Sequence, residues 1–192
     1  MGKLTLFAAL LFVSVTLFAQ QALVIVDIQD FYFPGGRSEL VEPAMAGDNA
    51  AMALNHFRIS GLEIVHVRHN FEPGGEIHES VYPVEGEKIV SKDNVNAFKG
   101  TDLLEHLKGR GIDTLVICGM QTHMCVEAAV RAGADYGFKV FLLHDACATR
   151  DLKFGDMTVG WEDVHNATLA TLRSYATVLS TDQYLKLQGK KQ

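Results

Sequence analysis

The sequence predicts an α/β fold, a three-layer sandwich with helices on both faces of a mostly parallel six-stranded sheet. Two observations predict it. Short apolar runs of strand length alternate with helical stretches from residue 22 to residue 185. Several of those runs, such as LVIV and TLVIC, are apolar at consecutive positions, as strands buried on both faces are. The 192 residues, 48% of them hydrophobic, suffice for one domain with a full core.

Residues 22–27 (ALVIVD) form the first strand, closing on a carboxylate. Residues 28–37 are loop, broken by Pro34-Gly35-Gly36. Residues 43–60 form a helix stopped by Gly61. Residues 62–68 (LEIVHVR) form the second strand. Residues 69–86 form a long loop with two prolines and three glycines, a length usually tied to function or disorder. Residues 87–90 are a short third strand, and residues 101–109 a helix capped by Thr101. The strand 114–118 follows, then a helix (CVEAAVRAGADY) with Thr122 as its N-cap, which places Cys125 in its first turn. Residues 139–144 are a fifth strand, 161–175 a helix, 177–179 a sixth strand and 181–185 a closing helical turn.

The N-terminus is organised differently. After Lys3, residues 4–19 (LTLFAALLFVSVTLFA) carry no charge and end at an Ala-Gln junction. This reads as a secretory signal peptide spanning 1–19, with Leu17 larger than is preferred three residues before the cut. The run is short of the roughly 20 apolar residues of a spanning helix. The expectation is an exported domain at 20–192, periplasmic or secreted; an uncleaved anchor is the alternative. A net charge of −6 without Lys/Arg runs excludes a nucleic-acid binder, and three cysteines make no disulfide framework.

In parallel α/β sheets, ligands bind beyond the carboxyl ends of the strands. Asp27, Lys92 and Cys125 all stand just past strand ends. A thiol at a helix N-terminus is expected to lean toward thiolate. Asp27 would take its proton and return it to a leaving amine, Lys92 would stabilise the sulfur charge, and Cys125 would attack a carbonyl to give a thioester. Singly, each has a plainer role: Asp27 as a loop anchor, Lys92 as solvated surface, Cys125 as a small buried hydrophobe. That plainer role fits Cys118 and Cys147, which could also lie close enough to pair. No C-x-x-C pair supports a thiol redox protein.

The segments LVIVDIQDFYFPGG, IVSKDNVNAF and LVICGMQTHMCVEAAVRAGADYGFKVFLLHDACATRD occur in this order. In them the chain resembles the isochorismatase-like cysteine hydrolases, which include nicotinamidases, N-carbamoylsarcosine amidohydrolase, and ureidoacrylate and biuret hydrolases. The resemblance runs from Ala22 to Leu185. It implies the triad Asp27, Lys92 and Cys125. It also implies a cis peptide between Met120 and Gln121, with the N–H groups of Gln121 and Cys125 forming an oxyanion hole. Isochorismatases proper lack the nucleophilic cysteine, so Cys125 favours C–N bond hydrolysis of a small amide or ureido substrate. Nicotinamidases carry an Asp-x-His pair for a metal; HVRHNFEPGG lacks it, so His66, His69 and His78 are expected as strand and loop residues, with no metal and no cofactor.

Tyr32 matches a family position that packs against substrate. Phe71, Trp161 and Gln29 are further substrate-binding candidates, Gln29 also as an orienter of Asp27 or an anchor of its loop. Phe31 and Phe33 are expected in the core, and His165 as structural. The resemblance implies a homodimer or larger homo-oligomer, with 161–175 as an interface element; from the charge no nucleic-acid partner is expected, and no stable membrane association if the signal is cleaved. A non-catalytic member binding a small molecule or protein through the same pocket is the rival reading.

Overall fold

The computed structural model describes residues 20–189. The expected signal peptide, residues 1–19, lies outside the described residues. Among the described residues, five helices and a six-stranded sheet make up the expected sandwich. The sheet is β1 (Gln21–Val26), β2 (Glu63–His69), β3 (Lys88–Lys92), β4 (Thr114–Met120), β5 (Lys139–Ala148) and β8 (Thr177–Leu179), in the order β3-β2-β1-β4-β5-β8. Every pairing in it is parallel. The chain builds outward from β1 to β3 and resumes on the other side of β1 with β4. Strand order therefore reverses between β1 and β4, where a crevice opens at the carboxyl ends.

The apolar runs are strands because both their faces are covered. Ala22, Val24 and Val26 of β1 join one core, with Leu103 and Leu107 of α2 (Leu103–Gly109) and Ala129 and Val130 of α3 (Glu127–Asp135). Leu23 and Ile25 join the other, with Ala50, Leu54 and Phe57 of α1 (Pro43–Ile59) and Tyr184 of α5 (Thr181–Gly189). Each fully buried Val, Leu or Ile contributes about 1.5–3 kcal/mol. Helix α1 starts with Pro43, whose missing N–H costs nothing at a helix start. It stops at Gly61, whose φ of +62° lets the Leu62 N–H turn back to the Phe57 carbonyl at 3.0 Å.

The structure departs from expectation at several elements. Strand β3 runs to Lys92, so this lysine ends the strand rather than following it. Strand β2 runs one residue beyond expectation, to His69. Strand β5 extends to Ala148, with a bulge opposite Ile117–Gly119 that absorbs its extra length. An antiparallel hairpin, β6 (Leu152–Phe154) and β7 (Met157–Val159), precedes α4 (Trp161–Leu172). The loop after β2 is held by a bridge from Gln29 to Ile77 and a 3-10 turn at Glu79–Val81. Among the described residues, no helix is long and apolar enough to cross a membrane.

Candidate active site

Four adjacent parallel strands each deliver one side chain to the crevice. Asp27 follows β1, His69 ends β2, Lys92 ends β3, and Cys125 lies in the turn after β4. Asp27 and Lys92 are buried, and Cys125 is 5% exposed. The Lys92 ammonium lies 2.7 Å from Asp27 Oδ2, 3.0 Å from His69 Nδ1 and 3.3 Å from Cys125 Sγ.

Asp27 leaves β1 with φ +50°, a left-handed conformation that Asp tolerates better than most residues. Its N–H bonds to the Val67 carbonyl at 2.9 Å, which fixes the turn. Neither carboxylate oxygen receives a well-aligned hydrogen bond among the described residues, so charge holds the contact with Lys92. Burial raises the Asp27 pKa above the ordinary carboxylate value, against the opposing pull of Lys92. Asp27 is thereby a stronger base than a solvated aspartate.

The turn carrying Cys125 corrects two expectations. Residues Thr122–Val126 wind as a π-type turn, and α3 proper begins at Glu127. Thr122 is not the N-cap; its hydroxyl donates to the Ala148 carbonyl at 3.2 Å and meets His165 Nδ1 at 3.0 Å. Nor does the helix N-terminus yield a resting thiolate. Burial, followed by the negative charge of Asp27, pushes the Cys125 thiol up to about 12, and Lys92 only partly offsets this. The resting site is an Asp27–Lys92 ion pair beside a protonated thiol.

The peptide between Met120 and Gln121 is cis. The wide turn sends the N–H groups of Met124 and Val126 to the Gln121 carbonyl, at 3.0 and 3.3 Å. Gln121 Nε2 donates to the Tyr32 hydroxyl at 3.3 Å, while its buried Oε1 has no partner among the described residues. Burial raises the Tyr32 pKa, and the negative charge of Asp27 adds to the shift.

The other candidates lie further out. Gln29 is fully buried and clamps backbone: its Oε1 accepts the His69 N–H at 2.8 Å, and its Nε2 donates to the carbonyls of His69 and Gly75 at 3.0 and 2.6 Å. Phe71 packs on Phe31 with ring centroids 4.7 Å apart and lies under the Arg37 guanidinium, 4.3 Å away. Trp161 opens α4, its N–H bonded to Asp151 at 2.8 Å. It lines a cavity of about 210 Å³ with Met45, His144, Cys147 and His165, whose walls include none of Asp27, Lys92 and Cys125.

His69 is the residue the sequence reading missed. Ending the second strand at Arg68 left it in a loop, whereas the strand-end rule that selected Asp27 selects it once β2 is extended by one residue. His66 and His78 take the expected structural roles. His66 Nε2 meets Glu87 at 2.8 Å, and His78 stacks on Phe33 with ring centroids 3.4 Å apart. Donor atoms of Asp27, His69 and Cys125 lie within 4.8 Å of one another, an O, N, S set suited to a soft divalent metal. The Lys92 ammonium contacts all three, so a metal ion there would have to displace it.

Residues 21–183 match the isochorismatase domain. The chain belongs to the isochorismatase family. It is 43% identical over 177 residues to the isochorismatase family protein YddQ of Bacillus subtilis, covering 86% of this chain and 98% of YddQ. Streptothricin hydrolase of Streptomyces noursei is 33% identical over 141 residues, 69% of this chain and 51% of that enzyme. The fold superposes on an isochorismatase from Pseudomonas putida KT2440 with a TM-score of 0.82 at 34% identity, over 86% of this chain and 90% of that one. It superposes on a cysteine hydrolase from Pseudomonas syringae pv. phaseolicola with a TM-score of 0.83 at 25% identity, over 88% and 92%. The isochorismatase family is one of hydrolases.

Proposed function

We propose that this isochorismatase-family protein is a cysteine-dependent hydrolase that cleaves a C–N bond of a small amide or ureido substrate. The observation that carries the reading is the buried Lys92 ammonium in contact with both the Asp27 carboxylate and the Cys125 sulfur. A protonated thiol is a weak nucleophile, so attack has to be coupled to loss of its proton. Asp27 takes that proton as sulfur adds to the substrate carbonyl. The carbonyl oxygen gathers negative charge toward the N–H groups of Gln121 and Cys125. Asp27 then passes its proton to the leaving nitrogen, and the C–N bond breaks to leave a thioester. Water attacks the thioester, Asp27 receives the water proton, and return of that proton to sulfur regenerates the thiol and frees the acid.

Lys92 keeps a positive charge beside two groups that exchange a negative one. With the proton on Cys125 it pairs Asp27; with the proton on Asp27 it pairs the thiolate. The names of streptothricin hydrolase and of the cysteine hydrolase support this chemistry. A protonated, buried thiol also suits the exported location proposed for the chain, since oxidation proceeds through exposed thiolate.

A screen of simple amides, nicotinamide and ureido compounds, read as released ammonia or amine, tests the reading. The wild-type chain is expected to turn over members of one class, and Cys125→Ala to turn over none while keeping its fold. Turnover retained in Cys125→Ala would refute the mechanism. Binding without turnover would make this a non-catalytic member.

A further inference from the structure

We propose that His69 is a positioning residue of this site, a neutral hydrogen-bond acceptor that aims the Lys92 ammonium at Asp27 and Cys125. The inference rests on the functional reading only in giving Lys92 a purpose; its geometry stands alone.

An ammonium has three N–H donors and no lone pair. Lys92 Nζ has three close partners, Asp27 Oδ2, His69 Nδ1 and Cys125 Sγ, at 2.7, 3.0 and 3.3 Å. His69 Nδ1 must therefore present its lone pair, which places the imidazole proton on Nε2. With two protons committed to His69 Nδ1 and Cys125 Sγ, and its charge set against Asp27 Oδ2, the ammonium is held in one orientation. Without His69, one proton of a buried cation loses its partner, and the ammonium is free to swing off the sulfur.

His69 is itself held from two sides. Gln29 grips both its N–H and its carbonyl, at 2.8 and 3.0 Å. Asn70, the next residue, donates its N–H to the Lys92 carbonyl at 2.8 Å and its side chain to Asp93 at 2.8 Å. These bonds tie the end of β2 to that of β3. They also give the buried Gln29 a purpose, since it supports the residue that aims Lys92.

The contact also makes the site sensitive to acid. Protonated His69 would turn an N–H toward the ammonium and set a second cation 3.0 Å from it. The charged groups facing His69 are Lys92 and Asp93 at the end of β3 and Asp27 beyond β1. Burial and Lys92 hold its pKa below the ordinary histidine value, against the opposite pull of the two carboxylates. The imidazole is thus neutral at neutral pH and protonates only in acid.

Iodoacetamide labelling of Cys125, followed by mass spectrometry of its peptide between pH 5 and 9, tests this without requiring hydrolysis. A chain that hydrolyses nothing would fail the functional reading and leave this test intact. Lost hydrogen bonding to a charged group predicts labelling about tenfold slower in His69→Ala at pH 8. His69→Asn, whose Oδ1 stands near the place of Nδ1, is expected to restore most of the rate. In the wild type the logarithm of the rate should fall more steeply once His69 protonates, and in His69→Asn this steepening should vanish. Wild-type labelling in His69→Ala, no rescue by His69→Asn, or steepening that survives in His69→Asn would each overturn the proposal. If His69→Ala does not fold, the wild-type and His69→Asn profiles decide alone.

Discussion

A Cβ on Gly119 would stand 1.9 Å from the carbonyl oxygen of Val26. Gly119 also holds φ +132°, which side-chain-bearing residues rarely adopt. The missing side chain lets β4, from whose end the chain turns toward Cys125, lie against the end of β1, which Asp27 follows. Gly119→Ala is predicted to push these strands apart, lowering the thermal midpoint and abolishing turnover together. Circular dichroism melting and the amide screen check this; an active, wild-type-stable variant would contradict it.

Asp27→Asn separates thiol acidity from catalysis. The aspartate charge raises the Cys125 pKa, so its removal lowers it and leaves Lys92 to pair with thiolate. Iodoacetamide labelling at pH 8 is predicted to become faster while amide turnover is lost. Slower labelling would show that Asp27 does not suppress the thiolate.

Lys92→Ala should act in the opposite sense on the thiol. Lys92 lowers the Cys125 pKa, so labelling at neutral pH is predicted to slow. The variant also leaves Asp27 buried without its counter-charge, a change that costs about 3–5 kcal/mol when one partner of a buried pair is removed. The buried carboxyl then tends to protonate, so the deficit of the variant relative to wild type should be smaller in mild acid than at pH 8. Urea midpoints at the two pH values check the sign.

Stability of the wild type should fall with acid in two stages. Burial lowers the pKa values of His66, His69, His123 and His165, so each contributes stability that is present above about 6.5 and lost as pH drops toward its folded value. His66 is thus a neutral donor to Glu87 despite their 2.8 Å contact, and its unpartnered Nδ1 bears only a lone pair. Burial works against ionisation of Glu87, but Arg58, the Val84 N–H and His66 outweigh it and hold its pKa at about 2. Its contribution is present above pH 4.5 and lost as pH falls through 2. In Glu87→Gln the second stage should shrink while the first remains, as urea titrations at pH 7, 5 and 3 would show.

The N-terminal reading makes its own prediction. Cleavage after Ala19 would begin the exported chain at Gln20, one residue before β1 starts at Gln21. Mass spectrometry of the exported protein is expected to show that N-terminus; an intact Met1 would indicate an uncleaved anchor.

The strands were legible because each central run is apolar at consecutive positions, and Asp27 and Cys125 stood out at the ends of two such runs. Lys92 also stood past the end of a run, but as a lysine read in a loop it carried no local mark of its burial. His69 escaped because a one-residue error in a strand end moves a residue from crevice to loop. The β6–β7 hairpin escaped because its strands, LKF and MTV, are too short to show a period. The thiol's resting protonation was misjudged from the helix dipole alone. Burial and the Asp27 carboxylate, which arrives from a different strand, dominate it and exist only in the assembled fold.

The most direct test of the central claim is mass spectrometry of an acid-quenched turnover mixture with whichever amide the screen selects. The account predicts an acyl group of the substrate carried on the Cys125 peptide, absent in Cys125→Ala. Turnover with Cys125 unmodified at every quench time, and undiminished in Cys125→Ala, would contradict it.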